Sequence, residues 1–229
     1  MKSLVFDSGP IISLATNNLL WVLEPLKKKF NGNFFITEAV KGEIVERPLE
    51  TKKFKFEAIQ VEKLIEDGIL EVADNSFIRE NTLGMLNTAN EIFKAYDNYI
   101  KIVHLAEISV IAASISLNAE AIVIDEKTTR YLIEEPKFIA DILRKTLHTS
   151  IAINENNLKE FRNSVAGIRT IRSVEIVTIA YEQGILDKYI TSIPDARKCL
   201  LEGLLWGLKL NGCAVSREEI GQILKLEMR

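Results

Sequence analysis

The chain has 229 residues, 47% of them apolar and 27% charged, and carries a formal net charge of −3. A chain of this length hides roughly 70% of its unfolded surface, so it supports a substantial core, and the composition excludes a disordered or low-complexity polymer. The weak negative balance excludes binding to a polyanion by bulk charge alone, because phosphate-driven affinity needs clustered cations.

The first apolar run, Leu4-Val5-Phe6, reads as a short buried strand that stops at Asp7. Ser8-Gly9-Pro10 then launch an apolar helix, which Asp7 could cap. Leu19, Leu20, Val22, Leu23 and Leu26 recur with helical spacing and lead into the basic cluster Lys27-Lys28-Lys29. Phe34-Phe35-Ile36 is a second strand, and the helix after it carries Glu43 about two turns in, with Glu46 close by as a competitor. A second basic cluster, Lys52-Lys53-Lys55, reads as either a solvated face or a phosphate track. It merges into the helical series Phe54, Phe56, Ile59, Val61, Leu64 and Ile65, and Ile69-Leu70-Glu71-Val72 is a third strand.

Residues 76–100 read as one long polar-faced helical segment. Val103 to Leu117 is the most apolar helix, with Glu107 in its first turns and His104 one turn earlier. An unpaired carboxylate in such a helix is expensive, so Glu107 needs a partner. Ala121-Ile122-Val123-Ile124 is a fourth strand, and it ends on Asp125. Residues 135–166 hold two further helix-like pieces, and Ile168-Arg169-Thr170-Ile171 is a weaker fifth strand. Beyond about residue 185 the pattern is helical. Pro194-Asp195 can start one helix, Gly212 can end it, and Ser216 to Glu219 has the spacing of a capping box.

Strands alternating with helices imply right-handed crossovers and a mostly parallel sheet covered on both faces. The expected organisation is one domain over 1–186, with helical insertions at about 76–100 and 135–166, and a helical extension over 187–229 packed on it. Cys199 and Cys213 have no metal-ligand spacing and cannot staple a chain this large. With no signal peptide and no bilayer-length apolar run, the expectation is a cytoplasmic protein.

In a parallel sheet of this kind, strand C-termini and helix N-termini share one edge, where ligands bind. Asp7 and Asp125 end strands there, and the helices carrying Glu43 and Glu107 start there. Like charges crowded together destabilise a fold unless a cation neutralises them. Hard oxygen donors without clustered histidine or cysteine suit Mg2+ or Mn2+, ions that commonly serve phosphate chemistry.

The stretches VFDSGPIISLA, FFITEAVKGEI, HLAEISVIAASISLNAEAIVIDEKTTRYL and SVEIVTIAYEQGIL, in that order, resemble the PIN-domain ribonucleases. The resemblance implies a three-layer α/β/α fold on a five-stranded, mostly parallel sheet. It also implies an acidic pocket for Mg2+ or Mn2+ and metal-dependent cleavage of RNA. Asp7, Glu43, Glu107 and Asp125 match that family's acids, and Ser173 matches a hydroxyl often near the metal. Ser173 could equally be a helix cap. Ser8, Thr129 and Arg130 flank the matched acids and are expected near the metal or the substrate.

Two readings of different classes therefore stand side by side: a metal-dependent endoribonuclease acting on single-stranded RNA, and a non-catalytic scaffold of the same shape that binds RNA or a protein. A phosphatase with an aspartyl nucleophile would need a second aspartate two residues after Asp7, where Gly9 stands. A second copy of the chain and an antitoxin-like protein are the expected protein partners. The apolar stretch 199–213 would pack on the core or form a dimer face.

Overall fold

The computed structural model describes residues 2–228. The chain runs β1 (Ser3–Phe6), α1 (Ser8–Thr16), a 3-10 turn (Leu20–Val22) continuing into α2 (Leu23–Phe30), and β2 (Asn33–Thr37). Then come α3 (Glu38–Lys41), a π-helical turn (Gly42–Glu46), α4 (Arg47–Leu49), α5 (Lys55–Glu66), β3 (Glu71–Ala73) and α6 (Ser76–Asn90). The hairpin β4 (Phe93–Ala95) and β5 (Asn98–Tyr99) precedes α7 (Leu105–Leu117), β6 (Ala121–Val123), α8 (Lys127–Glu134) and α9 (Pro136–Leu147). The last elements are β7 (Ala152–Ile153), α10 (Glu155–Ser164), β8 (Thr170–Ile171), α11 (Ser173–Glu182), α12 (Ala196–Leu210) and α13 (Arg217–Glu227).

Five strands form a parallel sheet in the order β3-β2-β1-β6-β8, flanked by helices in a three-layer α/β/α arrangement. β1 lies in the middle, pairing Leu4 with Phe34 on one side and with Ala121 on the other. Its unbroken apolar run is what a strand covered on both faces requires, and Val5 and Phe6 are wholly buried. Helix α7 packs against β1, β2 and β6, and residues 108 and 110–113 within it are wholly buried. These placements put the ends of β1 and β6, and the starts of α1 and α7, at one edge of the sheet.

Residues 76–100 depart from the expected single helical segment. Helix α6 stops at Asn90, and residues 93–99 form a hairpin that pairs antiparallel with β7 as a second, three-stranded sheet. The Asn90 side chain ends the helix and straps the following chain. Its Oδ1 accepts the N–H groups of Ile102 and Val103, and its Nδ2 donates to the Val103 carbonyl. Tyr96 and Asp97, both at positive φ, form the two-residue loop, as the strand twist of a tight hairpin demands.

The C-terminal helices are tied to the sheet. Ala214 N–H donates to the Asp125 carbonyl at 3.1 Å. Arg172 reaches the Ala214 carbonyl and pairs with Glu175 and Glu219. Ser216 and Glu219 form the expected capping box on α13. Leu201, Leu205 and Leu208 of α12 are wholly buried, so much of the apolar stretch 199–213 faces the core. No helix of the described residues is long and apolar enough to cross a membrane.

Because Phe6 sits wholly buried in the central strand against Phe34 at 5.2 Å between ring centres, Phe6→Ala should lower stability by roughly 3–5 kcal/mol. Urea unfolding reads this directly. A loss under about 1 kcal/mol would mean that β1 does not carry the core as described.

Candidate active site

Asp7 follows the last residue of β1 and occupies the N-cap position of α1. It is held there from the backbone side, since its N–H donates to the Val123 carbonyl at 2.9 Å. Its side chain is only 3% exposed and makes no capping hydrogen bond, and Oδ1 is buried without any partner. The carboxyl is pushed up to about 7, first by burial and then by the negative charges of Glu107 and Glu43. The N–H groups of Ser8 and Gly9 lie near enough to oppose that rise.

Glu43 comes from the π-helical turn Gly42–Glu46, half-buried, while Glu46 is exposed. Glu107 sits one turn into α7, where its Oε2 accepts the N–H of His104 in an N-terminal cap. Its Oε1 makes no hydrogen bond among the described residues. Burial raises the Glu107 carboxyl, and the charges of Glu126 and Glu43 add to this against the N–H and ring of His104. Three acids from three separate parts of the chain thus act on one another: Asp7, Glu43 and Glu107. Among the described residues, however, no three His, Cys, Asp or Glu side chains stand in a ready-made chelating group.

Asp125 follows β6 and is 2% exposed, but its surroundings are the opposite of those of Asp7. Oδ2 accepts from Ser13 Oγ at 2.7 Å and Ser173 Oγ at 2.8 Å, and Oδ1 accepts from Ser173 N–H at 2.7 Å. The nearby Cys213 thiol is held neutral, pushed up to about 12 by burial and then by the Asp125 charge. A side-chain carbon at Gly9 would lie 3.5 Å from Asp125 Cβ and 3.7 Å from Asp7 Oδ2, so the two aspartates flank the first turn of α1. Asp125 does not cap the helix that follows it. Glu126 does, accepting the Thr129 N–H, while Asp125 receives the start of α11.

The flanking residues have distinct placements. Ser8 is half-buried at the start of α1. Ser173, wholly buried, is the first residue of α11 rather than its cap, and its hydroxyl is directed to Asp125. Thr129 is wholly buried with an unpartnered Oγ1. Arg130 lies 3.8 Å from Glu134 in a cleft shared with Thr170, Arg172 and Glu219. His104 is exposed at the start of α7. Ser13 and Glu126 are not among the residues that the sequence points to, and Cys213 reads there only as a cysteine without metal-ligand spacing; their places beside Asp125 and Glu107 emerge only with the fold.

A family model described as a PIN domain matches residues 3–137, and the chain belongs to the PIN-domain family. No curated protein and no solved structure matches the chain. The family match covers Asp7, Glu43, Glu107 and Asp125, while Ser173, α11 and the helices after it lie beyond it.

The raised Asp7 carboxyl has a thermodynamic signature. An acid whose folded pKa lies above its unfolded value binds more protons when folded, so stability falls as pH rises from about 4 to about 7. In chelator-treated protein, Asp7→Asn should therefore be more stable than the parent at pH 8, by up to about 4 kcal/mol, with the gap closing toward pH 4. Thermal unfolding across that range measures it. A pH-independent gap would place the Asp7 carboxylate in solvent.

Proposed function

We propose that this chain is a divalent-metal-dependent endoribonuclease that hydrolyses phosphodiester bonds of single-stranded RNA. The observation that carries this reading is the buried, partnerless Oδ1 of Asp7 in the field of Glu43 and Glu107. A carboxylate so placed must either hold a proton or meet a cation. The donors available are all oxygens, which suits Mg2+ or Mn2+. Among the described residues, Asp7 Oδ1 and Glu107 Oε1 have no hydrogen-bond partner, and Asp125 Oδ1, with one donor, keeps a lone pair. Half-buried Glu43 can swing toward the others or act through water. A divalent ion held by these four supplies Lewis acidity at a phosphoryl oxygen and a bound water of lowered pKa.

The rest of the work falls to the chain itself. Ser13 and Ser173 fix the orientation of the Asp125 carboxylate, and Ser173 N–H ties that orientation to α11. The His104 N–H holds one oxygen of Glu107 and leaves the other available to an ion. Residues 187–229 act as an extension of the nuclease domain and stabilise the Asp125 end of the sheet through the Ala214 bond. An antitoxin-like protein and a second copy of the chain are the proposed protein partners, and the cytoplasm the proposed setting.

The lack of a ready-made chelating group favours one competing reading, a scaffold that binds RNA or protein without cutting it. Mn2+ separates the two. The nuclease reading expects Mn2+ to raise the thermal midpoint of the parent, and this rise to vanish in an Asp7→Asn/Asp125→Asn variant. It also expects cleavage of single-stranded RNA to stop in EDTA and to fall at least a hundredfold, about 2.7 kcal/mol, in Asp7→Asn. Equal cleavage in EDTA, or a fully active Asp7→Asn protein, would refute it.

A further inference from the structure

We propose that residues 52–56 form a platform of charge and aromatic surface that receives single-stranded RNA and delivers it to the acids, a reading that rests on the ribonuclease function above. The stretch Lys52-Lys53-Phe54-Lys55-Phe56 alternates cations with rings. Single strands are held in this way, by phosphate contacts to lysine or arginine and by bases stacked on aromatic faces. Phe54 is 44% and Phe56 67% exposed, so both rings of this short stretch offer faces to a ligand. None of Lys52, Lys53 and Lys55 makes an ion pair among the described residues, whereas Lys27, Lys28 and Lys63 do. Lys53 Nζ stands 4.6 Å from the centre of the Phe54 ring, so charge and stacking surface are already together.

The platform is connected to the acids. Phe54 and Glu43 line the same cavity, together with Ile12, Ile44 and Pro48. Ile11, Ile12 and Ala15 of α1, the helix that starts at Asp7, wall the same cavity. A base entering that cavity past Phe54 would carry its phosphate toward the carboxylates.

The local backbone is consistent with this role. Phe54 occupies the N-cap position of α5 at φ 62, a left-handed conformation that is strained for an aromatic residue, and it offers no capping oxygen. The first turn of this twelve-residue helix has no side-chain cap and carries Glu57 beside Lys55, so phosphate contacts at this end fall to the lysines. In a chain of net charge −3 with an acidic centre, a local cation track is also what a polyanion needs to approach at all.

The test measures binding apart from cleavage, by fluorescence anisotropy of a short labelled oligouridylate on the full chain in EDTA. Phe56→Ser should weaken binding about fivefold or more. The Lys52→Ser/Lys53→Ser/Lys55→Ser variant should lower the slope of log affinity against log salt by about 2. Lys137→Ser, at an exposed position of α9, should behave as the parent, and all thermal midpoints should match because the changed side chains are exposed. Parent-like affinity and salt slope in both platform variants would overturn the proposal and leave this surface to a protein partner. The result is separable from the nuclease reading. Metal-dependent cleavage with unaltered binding in the variants refutes the platform alone, and lost binding with no cleavage by the parent refutes catalysis alone.

Discussion

Everything at the acidic edge depends on one constraint: the Asp7 carboxylate is taken out of water with one oxygen left unpaired. A lone buried charge is among the costliest things a fold can hold. The chain accepts that cost because Asp7 is anchored by the central strand. Its N–H is fixed to β6, and β1 is clamped on both sides by parallel partners. That anchoring fixes the backbone from which the buried carboxyl projects. It has two ways to become tolerable, a proton or a cation, and the negative charges of Glu43 and Glu107 bias both choices in the same direction.

Asp125 shows what a different environment does to the same chemical group. Two hydroxyls and one peptide N–H saturate most of its acceptor capacity, so it stays in place without help. Neighbouring strands thus deliver one carboxylate with an oxygen left unpartnered and one that is well supplied with donors. Such divergence between paired acids is a common way for a site to assign separate roles to identical groups. The C-terminal helices take part as well. The Ala214 bond to the Asp125 carbonyl and the Arg172 network extend the support for this end of the sheet well beyond residue 137, where the family match stops.

Much of the fold was legible in the sequence because β1, β2 and β6 are buried on both faces and therefore read as unbroken apolar runs. The capping box at Ser216 was legible for a similarly local reason: a side chain and a backbone N–H three residues apart define it. The hairpin at 93–99 was hidden, since its strands are two or three residues long and its turn uses Tyr96-Asp97 instead of a glycine pair. Convergence of Asp7 with Glu43 and Glu107 could be anticipated from strand ends and helix starts alone. Ser173 could be placed near the acids only through the family resemblance, and the bonding of Asp125 to Ser13, across 112 residues of chain, could not be anticipated. Nor could the π-helical turn that carries Glu43, because one extra residue per turn leaves no mark in apolar spacing. Lys52, Lys53 and Lys55 were visible as a basic cluster, but only the exposure of Phe54 and Phe56 and the shared cavity with Glu43 give that cluster a direction.

The central claim is that an inorganic cation resolves the buried charge at Asp7. Crystals of the protein grown with Mn2+ test it most directly, through the anomalous signal of the ion. The account predicts a peak within roughly 2.0–2.3 Å of an Asp7 carboxylate oxygen, with Glu107 and Asp125 oxygens in the same coordination sphere. A map with no peak there at saturating Mn2+ would contradict it, and would leave Asp7 as a protonated structural residue.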